Sequence, residues 1–134
     1  METAIKYSVL IVDDNPNDVV ITKMVLSRID HNMKVEAAFR GEDALELLRS
    51  GEVLPSLIFL DLKMPGMSGL DFLRKLRADE RMKHIPVIVV TSSSLEADEK
   101  GSCAAGADGF LHKAFDIDKF SKDIKSFVDR WLKS

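Results

Sequence analysis

The sequence predicts an α/β fold, a five-stranded parallel sheet with helices on both faces, on three observations. Short apolar runs about a strand long recur along it, at Val9 to Val12, Leu57 to Leu60 and Val87 to Val90. Stretches of helical period separate them, each with its apolar residues three or four apart. The 134 residues, 46% hydrophobic and 31% charged, have the size and composition of one globular domain. Strands and helices that alternate one for one need crossover connections. Such connections are right-handed and cover both faces of a parallel sheet.

Taken in order, Tyr7 to Val12 is a strand buried on both faces. Asn17 to Ile29 is a helix with Ile21, Val25 and Ile29 on one stripe. Lys34 to Phe39 is a second, more polar strand, expected near a sheet edge. Gly41 to Ser50 forms the second helix on Ala44, Leu45 and Leu48, with Gly51 as its stop. Ser56 to Leu60 is the third strand, and Gly69 to Asp79 the third helix, with Leu70, Leu73 and Leu76 aligned. Ile85 to Val90 is a strongly β-branched fourth strand. A fourth helix, about Leu95 to Ala105, can start at a Ser93-x-x-Glu96 capping box. It offers little apolar surface and carries Gly101 inside, which predicts a weakly held element. Gly109 to His112 is a short fifth strand. Asp116 then caps a last helix whose Phe120, Ile124, Phe127, Val128 and Trp131 share a face.

Composition excludes several classes of function. With 19 Lys and Arg against 22 Asp and Glu, the net charge of −3 lacks the clustered positive charge of a nucleic-acid surface. No apolar run approaches membrane length, and the first residues lack the basic start and apolar middle of a signal peptide. The single Cys103 cannot form an internal disulfide, which fits a reducing compartment. A cytoplasmic, single-domain protein spanning 1–134, with no effector domain, is the expectation.

In an open parallel sheet the carboxyl ends of the strands converge on one crevice, where ligands bind. Here the first strand ends in Asp13-Asp14, the third in Asp61, the fourth in Thr91 and the fifth in Lys113. Taken singly, each has an ordinary explanation. Asp13 and Asp14 before Asn15-Pro16 could cap a helix, Asp61 could be a turn residue, Thr91 could end a β-branched strand, and Lys113 could lie on the surface. Together they bring three carboxylates, a hydroxyl and an ammonium to one pocket. Two unit charges about 4 Å apart repel by about 4 kcal/mol at an effective dielectric near 20, so three carboxylates need more than one lysine to hold them. Oxygen donors with room for water suit Mg²⁺, the inferred cofactor.

Given these strand ends, the sequence resembles the receiver domains of two-component response regulators. The resemblance covers nearly the whole chain. It rests on Val12-Asp13-Asp14-Asn15-Pro16, Asp61-Leu62-Lys63-Met64-Pro65-Gly66-Met67-Ser68-Gly69, Thr91-Ser92, Gly106-Ala107-Asp108-Gly109-Phe110 and Lys113. It implies a flavodoxin-like strand order 2-1-3-4-5. It also implies that Asp61 is the phosphoacceptor, with Asp13, Asp14, Asp61 and the Lys63 backbone carbonyl holding Mg²⁺. By the same resemblance Lys113 and Thr91 contact the phosphoryl oxygens, and Thr91 and Phe110 form the switch. The phosphodonor would be a phosphohistidine of a sensor kinase or phosphotransfer protein. Output would pass by protein contact through the fourth helix, fifth strand and fifth helix. None of His31, His84 and His112 has a catalytic setting. Lys63 and Ser93 flank the site, where they can admit or block water.

One departure stands out: the family usually has Pro after the lysine, often with a cis bond, and here Ala114 follows Lys113. A cis bond before Ala would cost about 3 to 4 kcal/mol. A scaffold of this fold that is never phosphorylated is therefore the alternative. A flavin or nucleotide binder is disfavoured, because Asp13-Asp14-Asn15-Pro16 repels unmetallated phosphate where such sites need backbone donors. The Asp-Asp-Asn-Pro-x-Asp opening, Thr91-Ser92-Ser93 and Trp131-Leu132 are similar to single-domain regulators paired with phytochrome-type kinases, which implies a monomer or a weak homodimer.

Overall fold

The computed structural model describes residues 7–30, 32–51, 53–92, 96–113 and 116–132. The strands are β1 (Tyr7–Val12), β2 (Met33–Ala38), β3 (Leu57–Leu60), β4 (Val87–Thr91) and β5 (Gly109–His112). Between and after them run α1 (Pro16–Ile29), α2 (Gly41–Ser50), α3 (Gly69–Ala78), α4 (Glu96–Ala104) and α5 (Ile117–Leu132). The sheet has the order β2-β1-β3-β4-β5, and every pairing is parallel. The polar β2 is the edge strand, as its composition predicts.

Strand alternation builds two cores. Leu10, Val12, Ile58, Leu60, Val87 and Val89 point to one face, where Ala44, Leu45 and Leu48 of α2 and Phe72, Leu73 and Leu76 of α3 pack on them. Val9, Ile11, Leu57, Phe59, Ile88 and Val90 point to the other, under Val19, Val25 and Leu26 of α1 and Phe120, Ile124 and Val128 of α5. Because β3 and β4 are covered on both faces, all their residues are buried.

Two helical stripes differ from expectation. In α1 the buried residues are Val19, Thr22, Val25 and Leu26, with Ile21 and Ile29 only half-buried against them. In α3, Phe72 is fully buried whereas Leu70 is partly covered. Spacing alone places a stripe, but its centre follows whichever side chain is largest and best aimed at the sheet. Gly51 does end α2, yet with φ −77° and ψ 140°, so its stop is extended backbone rather than the left-handed turn that favours glycine. The carbonyls at that end are satisfied by Arg81, whose Nη1 donates to Leu48 O at 2.9 Å and whose Nη2 donates to Gly51 O. Asp116 caps α5 as expected, its Oδ1 accepting from Asp118 N at 3.0 Å and Lys119 N at 3.3 Å. The Ser93 capping box lies outside the described residues.

Candidate functional site

The crevice is assembled by four strand ends and the first turn of α1. β1 hands directly into Asp13, held 5% exposed by the sheet, and its Oδ1 accepts from Asn15 N at 2.9 Å. Asn15 in turn caps α1, accepting from Asn17 N at 2.9 Å and Asp18 N at 3.4 Å. Pro16 in the first turn needs no donor there, so the strand can become a helix within three residues. These steps place Asp14 at the crevice mouth and Asp18 one turn along the same rim.

Asp61 follows β3, 6% exposed, with Lys63 N donating to its Oδ1 at 3.4 Å. The loop that returns to α3 passes very close behind it. A Cβ at Gly69 would lie 2.7 Å from Leu62 Cα and closer still to Asp61 O, so glycine is required for the α3 terminus to seat. The Gly69 amide then donates to Leu62 O at 3.0 Å.

Carboxylate oxygens of Asp13, Asp14 and Asp61 all lie within 4.8 Å of one another. Lys113, after β5, points its Nζ into this group. It is 3.0 Å from Asp13 Oδ2 and 3.6 Å from Asp61 Oδ2. Its shortest bond is to a residue the sequence pattern did not assign, Asp18 Oδ2 at 2.8 Å. The only sequence signal for Asp18 was the last residue of the Asp-Asp-Asn-Pro-x-Asp opening. Four carboxylates therefore face one ammonium, leaving the crevice strongly acidic.

Burial pushes the Asp61 carboxyl up to about 6. Lys113 and the Lys63 amide oppose the rise, and the charges of Asp13 and Asp14 add to it. Burial acts the other way on Lys113, but its hydrogen bonds to Asp18 and Asp13, with the charge of Asp61, hold it above its ordinary value. The ammonium is thus a permanent cation. A cluster of oxygen donors only fits a hard divalent ion in its chemistry.

Thr91 is fully buried at the end of β4, and its carbonyl accepts from Lys113 N at 2.7 Å. Phe110 lies on β5 opposite Val89, half-buried against the α2–α3 core. The Lys63 side chain reaches α4, with Nζ 3.4 Å from Asp98 Oδ2. His84 and His112 are exposed. His31, Ser93 and Ala114 lie outside the described residues, so the peptide bond after Lys113 does too. No helix of the described residues is long and apolar enough to cross a membrane.

Residues 9–125 match the family model described as the response regulator receiver domain. The chain is 31% identical over 121 residues to the polar-differentiation response regulator DivK of Brucella ovis, covering 90% of this chain and 95% of that one. Among solved structures it is similar to the phosphorylated cyanobacterial phytochrome response regulator RcpA, with a TM-score of 0.86 and 27% identity over 94% of each chain. It is also similar to the Mn²⁺-bound response regulator Rcp1, with a TM-score of 0.83 and 28% identity over 96% of each chain. A third match is RPA3017, from red light signalling in R. palustris, with a TM-score of 0.84 and 25% identity over 94% of each chain.

Proposed function

The chain belongs to the response regulator receiver domains of two-component signalling, and from that premise we propose that Asp61 accepts a phosphoryl group from a histidine kinase or phosphotransfer protein. The observation that carries this is the joint position of the groups. Three carboxylates have oxygens within 4.8 Å of one another, and an ammonium stands 3.6 Å from Asp61 Oδ2. In the transfer an Asp61 oxygen attacks the phosphorus of a phosphohistidine. The O–P bond forms as the N–P bond breaks, and the electron pair stays on the imidazole nitrogen, which takes a proton from solvent. Phosphoryl transfer depends mostly on alignment and on charge stabilisation. Burial makes Asp61 a more basic and so more nucleophilic carboxylate, while a value of about 6 still leaves it ionised at neutral pH. Lys113 balances charge on the phosphoryl oxygens, and the Thr91 hydroxyl donates to one of them.

Asp13, Asp14 and Asp61, with the Lys63 carbonyl, would hold Mg²⁺. When bound, the ion neutralises the acidic cluster and shields the incoming phosphoryl charge. The Mn²⁺-bound relative supports this assignment of a divalent ion. Movement of Thr91 toward the phosphoryl group, with Phe110 filling the space it leaves, would carry the change to α4, β5 and α5 for protein contact. The relatives from phytochrome and red light signalling support a phytochrome-type kinase as the donor, in the cytoplasm.

Incubation with phosphoramidate and Mg²⁺, followed by intact mass measurement, tests the assignment. Wild type should gain the mass of one phosphoryl group, lost in alkali or neutral hydroxylamine as an acyl phosphate is, and Asp61→Asn should gain none. A label that persists in Asp61→Asn would refute it.

A further inference from the structure

We infer that Asp18 is a positioning residue for Lys113, keeping the ammonium at the crevice when the other carboxylates are engaged and so setting the rate at which Asp61 is phosphorylated. This rests on Asp61 being the phosphoacceptor. The lysine has three N–H bonds to direct. One goes to Asp18 Oδ2 at 2.8 Å and one to Asp13 Oδ2 at 3.0 Å, while Asp61 Oδ2 at 3.6 Å is beyond a hydrogen bond.

The three partners are not equivalent. Asp13 and Asp61 belong to the group whose oxygens lie together and can share a cation, and Asp18 does not. Asp13 and Asp61 would give lone pairs to a divalent ion held by that group, and its charge would repel the ammonium beside them. Asp18 is then the one carboxylate of the three still given over to the lysine. Its geometry suits a fixed anchor. It sits in the first turn of α1, its amide donates to Asn15 Oδ1 at 3.4 Å, and its carbonyl accepts from the buried Thr22 Oγ1 at 2.9 Å. An unanchored lysine has a long flexible stem to order at each turnover, and a lysine held by a helix-borne carboxylate does not.

The test measures phosphorylation by phosphoramidate at saturating Mg²⁺, and Mg²⁺ affinity separately, in Asp18→Ala, Asp18→Asn and Lys113→Ala. Losing one charge-assisted hydrogen bond should slow Asp18→Ala about tenfold with Mg²⁺ affinity changed less than about twofold. Asp18→Asn, which keeps an acceptor and the fold, should fall between. In a Lys113→Ala background Asp18→Ala should have no further effect. In ¹⁵N spectra the Lys113 ammonium resonance should persist in Mg²⁺-saturated wild type and disappear in Asp18→Ala. A rate equal to or above wild type in Asp18→Ala, a loss undiminished without Lys113, or an ammonium resonance retained without Asp18 would overturn the inference. If wild type itself takes up no phosphoryl group, the assignment of Asp61 fails, and the ammonium resonance still decides the role of Asp18.

Discussion

Asp61 is 6% exposed among acids, and its proton affinity has a consequence for stability that the sign of the shift determines. Folded, it keeps a proton up to about 6, whereas an unperturbed aspartate releases it near 3.8. Between those values the folded protein holds the extra proton. The Asp61 contribution to stability is therefore greatest below the unfolded value and falls as pH rises through about 6. Without divalent ions, Asp61→Asn should gain on wild type across that window, by about 2 to 3 kcal/mol near neutral pH, at about 1.4 kcal/mol per unit. Urea denaturation of both proteins at about pH 4 and about pH 7, in chelator, measures it. A difference that does not change with pH would contradict the burial of Asp61 as the cause.

At the scale of elements, one residue beside the crevice and one far from it seat the two ends of α3. Gly69 lets α3 start against the backbone of Asp61 and Leu62. A methyl group there has backbone, not a flexible side chain, in its way. Gly69→Ala should therefore destabilise by about 2 kcal/mol or more and weaken divalent-ion binding, because Asp61 must shift. Arg77 fastens α3 to the far ends of the sheet. Its Nε donates to Gly106 O at 2.9 Å, its Nη1 to Lys83 O at 3.1 Å and Ile85 O at 2.8 Å, and its Nη2 to Asp108 Oδ2 at 2.9 Å. Gly106, at φ 103°, makes the turn that brings its carbonyl to the guanidinium. Only a planar fork can serve these acceptors together. Arg77→Lys should lower stability by about 2 to 3 kcal/mol in urea titration while leaving Mg²⁺ affinity unchanged. A parallel loss of Mg²⁺ affinity would mean the two ends of α3 are coupled.

For the molecule as a whole, the same sheet that buries two apolar cores gathers its acids at one rim. Four carboxylates around one ammonium repel one another in the folded state and are dispersed in the unfolded chain. A divalent ion bound only by the folded state should relieve this. At Mg²⁺ a hundredfold above Kd, stability should rise by about 2.7 kcal/mol. Thermal unfolding with and without Mg²⁺ tests it, and Asp13→Ala should abolish the rise. An equal rise in Asp13→Ala would place the ion elsewhere.

The alternation of strand-length apolar runs with helical stripes was enough for the sheet, its parallel sense and the polar edge strand. It also led to Asp13, Asp14, Asp61, Thr91 and Lys113, because a strand's end is a local property and convergence at one rim follows from the topology. The buried centre of α1 and of α3 was not legible, since which flank of a stripe faces the sheet depends on packing against residues far away in sequence. Nor was Asp18. Its tie to Lys113 spans 95 positions of sequence and exists only once α1 and β5 are laid side by side. The sequence by itself determined that Asp13, Asp14, Asp61 and Lys113 meet. Only the tertiary structure decided how the lysine's hydrogen bonds are shared among them, because a hydrogen bond requires its partners within about 3 Å and no local pattern encodes that distance.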